Sequence, residues 1–147
     1  MTNEQLCLEA IRAMHKAYAP YSGYMVGAAL IDDTGKVTTG CNIENSSFTP
    51  TVCAERTAFF KAISDRESEK LPHFVRIAVC GGEKGKITGE FPPCGVCRQV
   101  LREFCADGFP VILVRSAQDW RVMTLGELLP ASFGPEHVAG ARMPEHP

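Results

Sequence analysis

The chain has no basic surplus: 15 Lys and Arg stand against 17 Asp and Glu, for a formal net charge of −2. A broad nucleic-acid or anionic-membrane footprint needs a basic excess, so neither is expected. No apolar run approaches membrane-spanning length. Met1 to Met14 carries Glu4, Glu9 and Arg12 inside its apolar pattern, and so fits neither a signal peptide nor a transmembrane helix. Repeats and low-complexity tracts are missing too. The cysteine count of 7 is odd, and with no secretory signal it argues against a disulfide framework. A reducing, cytoplasmic setting fits better, with some thiols on metal and the rest buried. His15, His73, His137 and His146 have no mutual ligand spacing and read as surface or edge residues.

What is present is a globular balance: 45% hydrophobic and 22% charged residues. At 147 residues the chain suffices for one domain with a full core, spanning 1–147, and is short for two. Thr2 or Asn3 caps a first helix whose face is Cys7, Ile11, Met14 and Tyr18, with Pro20 as its stop. Met25 to Ile31 and Lys36 to Cys41 flank the turn Asp32-Asp33-Thr34-Gly35 and predict an antiparallel hairpin. Thr49-Pro50 reads as a cap followed by proline at the first helical position, opening a second helix to about Ile63. Phe74 to Cys80 is a third strand, Gly81 to Gly89 a loop, and Pro92-Pro93 precedes a third helix with Cys97, Val100, Leu101 and Phe104 on one face. Val111 to Arg115 and Arg121 to Thr124 complete five strands; Leu125 to Leu129 is a helical turn, and the segment from Ala131 is irregular. Alternating strands and helices predict an α/β fold, a three-layer α/β/α sandwich on one mixed five-stranded sheet.

Chemistry concentrates in Cys53-Ala54-Glu55 and Pro93-Cys94-Gly95-Val96-Cys97. Both clusters fall at predicted helix N-termini, where free N–H groups and the helix dipole favour thiolate over thiol. Three thiolates form an incomplete zinc shell, and catalytic zinc uses three protein ligands with the fourth place open to water. Glu55 beside such a site is a candidate proton shuttle. Three thiolates on one zinc leave a negative balance, and Arg56 is a candidate to drain it by hydrogen bonding to sulfur. Bland readings stand beside these. C-x-x-C can be a redox pair, or the zinc can be structural and closed by Cys41, Cys80 or His73. Arg56 can be a surface arginine, and Glu55 a glutamate favoured by the dipole. Cys7, Cys41, Cys80 and Cys105 read as small core residues.

Cys53-Ala54-Glu55-Arg56-Thr57-Ala58 with Pro93-Cys94-Gly95-Val96-Cys97-Arg98-Gln99 resembles the small, homotetrameric cytidine deaminases. The resemblance extends to Tyr21–Ala29, to Gly40-Cys41-Asn42-Ile43-Glu44-Asn45 and to Leu128-Leu129-Pro130-Ala131-Ser132-Phe133, in the family's order. It implies zinc on Cys53, Cys94 and Cys97, with Glu55 moving protons during hydrolysis of cytidine or deoxycytidine to the uridine product and ammonia. It also implies Asn42 and Glu44 on a ribose hydroxyl, the backbone of Ala54 at the base, Tyr24 and Phe133 packing the base, and Ser46 with Phe48 contributed by a neighbouring subunit. The family more often carries Phe at position 24 and Tyr at 48, so Phe48 can pack but offers no hydroxyl. The implied partner is a small nucleoside, with no nucleic acid or membrane. Alternatives are deamination of another aminopyrimidine nucleoside, such as a nucleoside antibiotic, or a non-catalytic zinc-binding interaction module. Glu55 discriminates against the last, since a purely structural site has no use for it.

Overall fold

A computed structural model describes residues 1–138. Helix α1 (Asn3–Met14) opens with a capping box in which Thr2 and Gln5 satisfy each other's backbone N–H groups. Strands β1 (Tyr24–Asp32) and β2 (Val37–Cys41) form the expected antiparallel hairpin, with Gly27 opposite Cys41. Then follow α2 (Ala54–Ser64), β3 (Phe74–Glu83), α3 (Gly95–Phe104), β4 (Pro110–Ser116), β5 (Asp119–Thr124) and the short α4 (Leu125–Leu128). The sheet order is β2-β1-β3-β4-β5. Only β3 and β4 run parallel, and α3 is their crossover.

Strand side chains alternate between two buried layers. Ala29, Ile31, Ala78, Cys80, Ile112 and Val114 face α1, packing on Leu6, Cys7, Ala10 and Met14. Ala28, Leu30, Ile77, Val79, Val111 and Leu113 face the other way, onto Ala54, Ala58, Phe59 and Leu101. The predicted three layers therefore form. One contact sets α2 against the sheet. Gly40 on β2 lies so near the backbone of Ala54 and Ala58 that any Cβ there would collide. The absent side chain lets the first turn of α2 press directly on the strand.

Several boundaries depart from the sequence reading. The first helix stops at Met14, well before Pro20, because Tyr18 N–H bonds Asn42 O at 3.0 Å and Tyr18 bridges Ile43. Tyr18 thus leaves the helical face and is exposed. The second helix begins at Ala54, with Cys53 rather than Thr49 as its cap. The amides before it are engaged elsewhere: Val52 and Ile43 exchange two backbone bonds of 3.0 Å, and Thr51 N–H reaches Phe48 O. β3 runs on to Glu83, since Gly81, Gly82 and Glu83 pair with Val26, Met25 and Tyr24, so the predicted loop starts later. Cys41 is half-buried at the sheet edge rather than core, its thiol donating to Lys16 O at 3.5 Å. His146 lies outside the described residues.

Candidate active site

Cys53 caps α2 and Cys94 caps α3, both in extended backbone and neither using its side chain as a cap. Their sulfurs are therefore free to face each other, 3.7 Å apart. Cys97, one turn into α3, is buried and completes a group whose ligand atoms all lie within 4.8 Å of one another. Among the described residues, no other His, Cys, Asp or Glu joins them. Cys41, Cys80 and His73 do not close the shell.

The donor set fits zinc. Sulfurs set tetrahedrally at about 2.3 Å from zinc stand about 3.8 Å apart, close to the separation found. Protonation points the same way. A hydrogen bond from Cys97, helped by Arg56 and Cys94, holds the Cys53 thiol down at about 5. The same bond, with burial, pushes Cys97 far above the ordinary thiol range. Three crowded sulfurs thus retain a proton that a soft divalent cation would replace.

Glu55 follows Cys53 by two residues and is buried, 3% exposed. Burial raises it to about 7. Arg56 Nη2 donates to Cys53 Sγ at 3.5 Å, and its buried Nε has no partner among the described residues. The guanidinium is thus turned to the sulfurs and is not the surface arginine of the bland reading. Ala54 is fully buried between α2 and the sheet.

The predicted sugar loop sits on backbone scaffolding that the sequence did not announce. Asn42 Oδ1 accepts from Val26 N–H at 2.8 Å, and Nδ2 donates to Tyr24 O at 2.7 Å. One amide proton and further lone-pair capacity remain for a ligand. Glu44 accepts from the N–H groups of Tyr21 and Ser22 at 2.9 and 3.1 Å and from Ser22 Oγ at 2.5 Å. The Ser22 hydroxyl first, then the two amides, lower its carboxyl below the usual range. Tyr21, Ser22, Glu44, Phe48 and Thr51 line an open hollow of about 390 Å³. Nothing in the local spacing marks Tyr21 and Ser22 individually; their place in the stretch Tyr21–Ala29 is the signal the sequence offers.

The remaining predicted residues lie outward. Tyr24 is half-exposed and stacks on Phe91, ring centroids 6.1 Å apart. Phe48 is 72% exposed, its ring edge-on to Tyr21, and Ser46 beside it is exposed. Phe133 is 61% exposed, stacked on His137 rather than buried in the core. The structure thus gathers Cys53, Cys94, Cys97, Glu55 and Arg56 closely, and leaves Phe48, Ser46 and Phe133 at the surface.

Comparison with known proteins adds an independent line. Residues 1–113 match the family model described as cytidine and deoxycytidylate deaminase zinc-binding region. The cytidine deaminase of Sporosarcina psychrophila is 43% identical over 141 residues, 96% of this chain and 98% of that protein. That of Halalkalibacterium halodurans is 44% identical over 138 residues, 94% of this chain and 98% of its own length. In three dimensions the chain is similar to the crystal structure of cytidine deaminase from Burkholderia pseudomallei, with TM-score 0.79, 44% identity, and 90% and 100% of the two chains covered. The Mycobacterium tuberculosis enzyme superposes with TM-score 0.74 at 35% identity, covering 91% and 98%. By sequence over nearly its whole length, and by fold, this chain belongs to the cytidine deaminase family.

Proposed function

We propose that the protein is a zinc-dependent hydrolase that converts cytidine and deoxycytidine to uridine and deoxyuridine, releasing ammonia. The observation that carries this reading is Glu55, an acidic residue 3% exposed, two residues from one of three clustered sulfurs. A site that only braces the fold gains nothing from burying an acid there. Its position suits the proton movements the reaction needs. Glu55 takes a proton from water and delivers it to N3 of the pyrimidine as the hydroxyl adds to C4. It then takes the proton of that C4 hydroxyl and passes it to the exocyclic amine, so that the C4–N bond breaks as the C4 carbonyl forms. Zinc, held by Cys53, Cys94 and Cys97, supplies Lewis acidity that makes water a nucleophile near neutral pH. Arg56, donating to Cys53, draws electron density from the sulfurs.

Asn42 and Glu44 bind a ribose hydroxyl. In support, Asn42 is held in place by β1 with donor capacity left, and Glu44 is kept ionised beside an open hollow. The backbone of Ala54 meets the base, and Tyr24 and Phe133 pack on it. Ser46 and Phe48 serve a neighbouring copy in a homotetramer. The support for that is the exposure of Phe48 and Phe133, apolar rings that an isolated chain leaves wet. Residues 1–147 act as one domain, in the cytoplasm, with a small nucleoside as partner.

Purified protein with one zinc per chain should lower the absorbance of cytidine as uridine forms, with ammonia released in equal amount. A zinc-loaded protein inert on cytidine and deoxycytidine overturns the reading. Sedimentation of an active monomer would remove the shared-site assignment of Ser46 and Phe48.

A further inference from the structure

Beyond α4, residues 130–138 contain only the 3-10 turn Pro135–His137. Side chains of α3 hold this strap. Ahead of the strap, Arg98 ties α3 to the end of α4, donating from Nη1 to Leu128 O at 2.6 Å, and from Nε to Pro93 O at 2.7 Å. Gln99 Nε2 donates to the carbonyl of Phe133 itself at 2.9 Å. Arg102 Nε donates to Ser132 Oγ at 2.8 Å, and its Nη2 pairs with Glu136. Positions 98 and 102 are one helical turn apart, so these groups make a row along one side of α3. Gly134 lies directly against the Arg102 guanidinium, which a Cβ there would push aside from its partners. Within the strap, His137 Nδ1 accepts from Gly134 N–H at 3.0 Å, and the imidazole stacks on the Phe133 ring at 5.3 Å.

The same helix carries Cys97 and is capped by Cys94. The strap is therefore registered to the sulfur cluster through one rigid element. The α3 hydrogen bonds to it go to a backbone carbonyl, a hydroxyl and a carboxylate, and Phe133 stays 61% exposed. A ring already held in place loses less freedom on binding than one on a loose terminus.

We propose that Arg102 is a positioning residue. With Gln99 and the bare Cα of Gly134, it locks the strap onto the helix of Cys94 and Cys97 and so presets Phe133 for the pyrimidine. The presetting rests on Phe133 being the base-packing aromatic proposed above; the lock does not.

Arg102→Ala, Gly134→Ala and Phe133→Ala, each made in the full zinc-loaded chain, test it. Hydrogen exchange of amides 132–137 should quicken about tenfold in the first two variants, with the sheet unchanged. KM for cytidine should rise about tenfold in all three, the scale of one lost base–aromatic stack, while kcat stays within about threefold. The Arg102→Ala/Phe133→Ala double variant should bind no worse than Phe133→Ala, since a missing ring leaves nothing to preset. Unchanged exchange in both Arg102→Ala and Gly134→Ala overturns the lock. Faster exchange with KM rises that multiply in the double variant overturns the presetting. Faster exchange with a kinetically silent Phe133→Ala also overturns it, and traces the failure to the Phe133 assignment.

Discussion

Cys80, under α1, and Cys53, at the head of α2, are cysteines of one small fold whose thiols move in opposite directions. Burial takes Cys80 up to about 12, whereas hydrogen bonds from Cys97 and Arg56 take Cys53 down to about 5. The difference is one of address. Cys80 sits mid-strand under α1, and its thiol donates to the Met14 sulfur at 4.0 Å. Cys53 sits where a helix begins, with unpaired N–H groups and a guanidinium at hand. Cysteines on the α1 side of the sheet pack, while those at the heads of α2 and α3 cluster where a metal ion could bind.

Four experiments press on that contrast. Glu55→Gln should cost the most, about 10²–10⁴-fold in turnover, because it removes the proposed proton carrier from the α2/α3 side. Zinc content and circular dichroism should stay at wild-type values; turnover within a few-fold of wild type would erase the distinction. Arg56→Gln should cost about 10–100-fold in activity or zinc affinity. Cys53→His in that background should recover part of the loss by replacing a charged ligand with a neutral one, read from turnover and metal analysis of both variants and their combination.

The other side responds to alkali. Burial raises Cys7 from an ordinary 9.0 to about 11 and Cys80 from 9.0 to about 12. Both thiols keep their protons in the native state longer than in the unfolded chain. Their contribution to stability is complete below about pH 9 and falls as pH rises towards 11 and 12. Urea midpoints should drop across that window, and drop less in Cys80→Ala. The smallest effect is that variant's own cost near neutrality, about 1 kcal/mol for a methyl-sized void, with zinc and turnover intact. Lost zinc in Cys80→Ala would merge the two thiol classes.

Much of this was legible without coordinates, for a physical reason. Cys53, Glu55, Cys94 and Cys97 lie within a turn of a helix start, so local spacing announces them. The hairpin and the third helix follow from short-range patterns in the same way. Thr49-Pro50 misled because it is a good local start signal, overruled by the bridge between Ile43 and Val52. Tyr18 was misplaced for a similar cause, drawn from the helical face by Asn42. Contacts spanning tens of residues left no local trace. Ser22 holds Glu44 across 22 positions, and Arg102 holds Ser132 across 30. Both serine and arginine would look unremarkable on any surface.

The cluster joins Cys53 to Cys94 across 41 positions of chain. Viewed as topology rather than chemistry, an ion bound there is a cross-link. It closes a loop containing all of α2 and β3 and ties together the heads of two helices. Closing such a loop removes freedom from the unfolded chain, as a disulfide does. An ion present at about a thousand times its dissociation constant adds about 4 kcal/mol to the native state by mass action alone. Chelation should therefore loosen the α2/α3 layer as well as silence the site, and the protein's heat tolerance becomes a property of its metal supply.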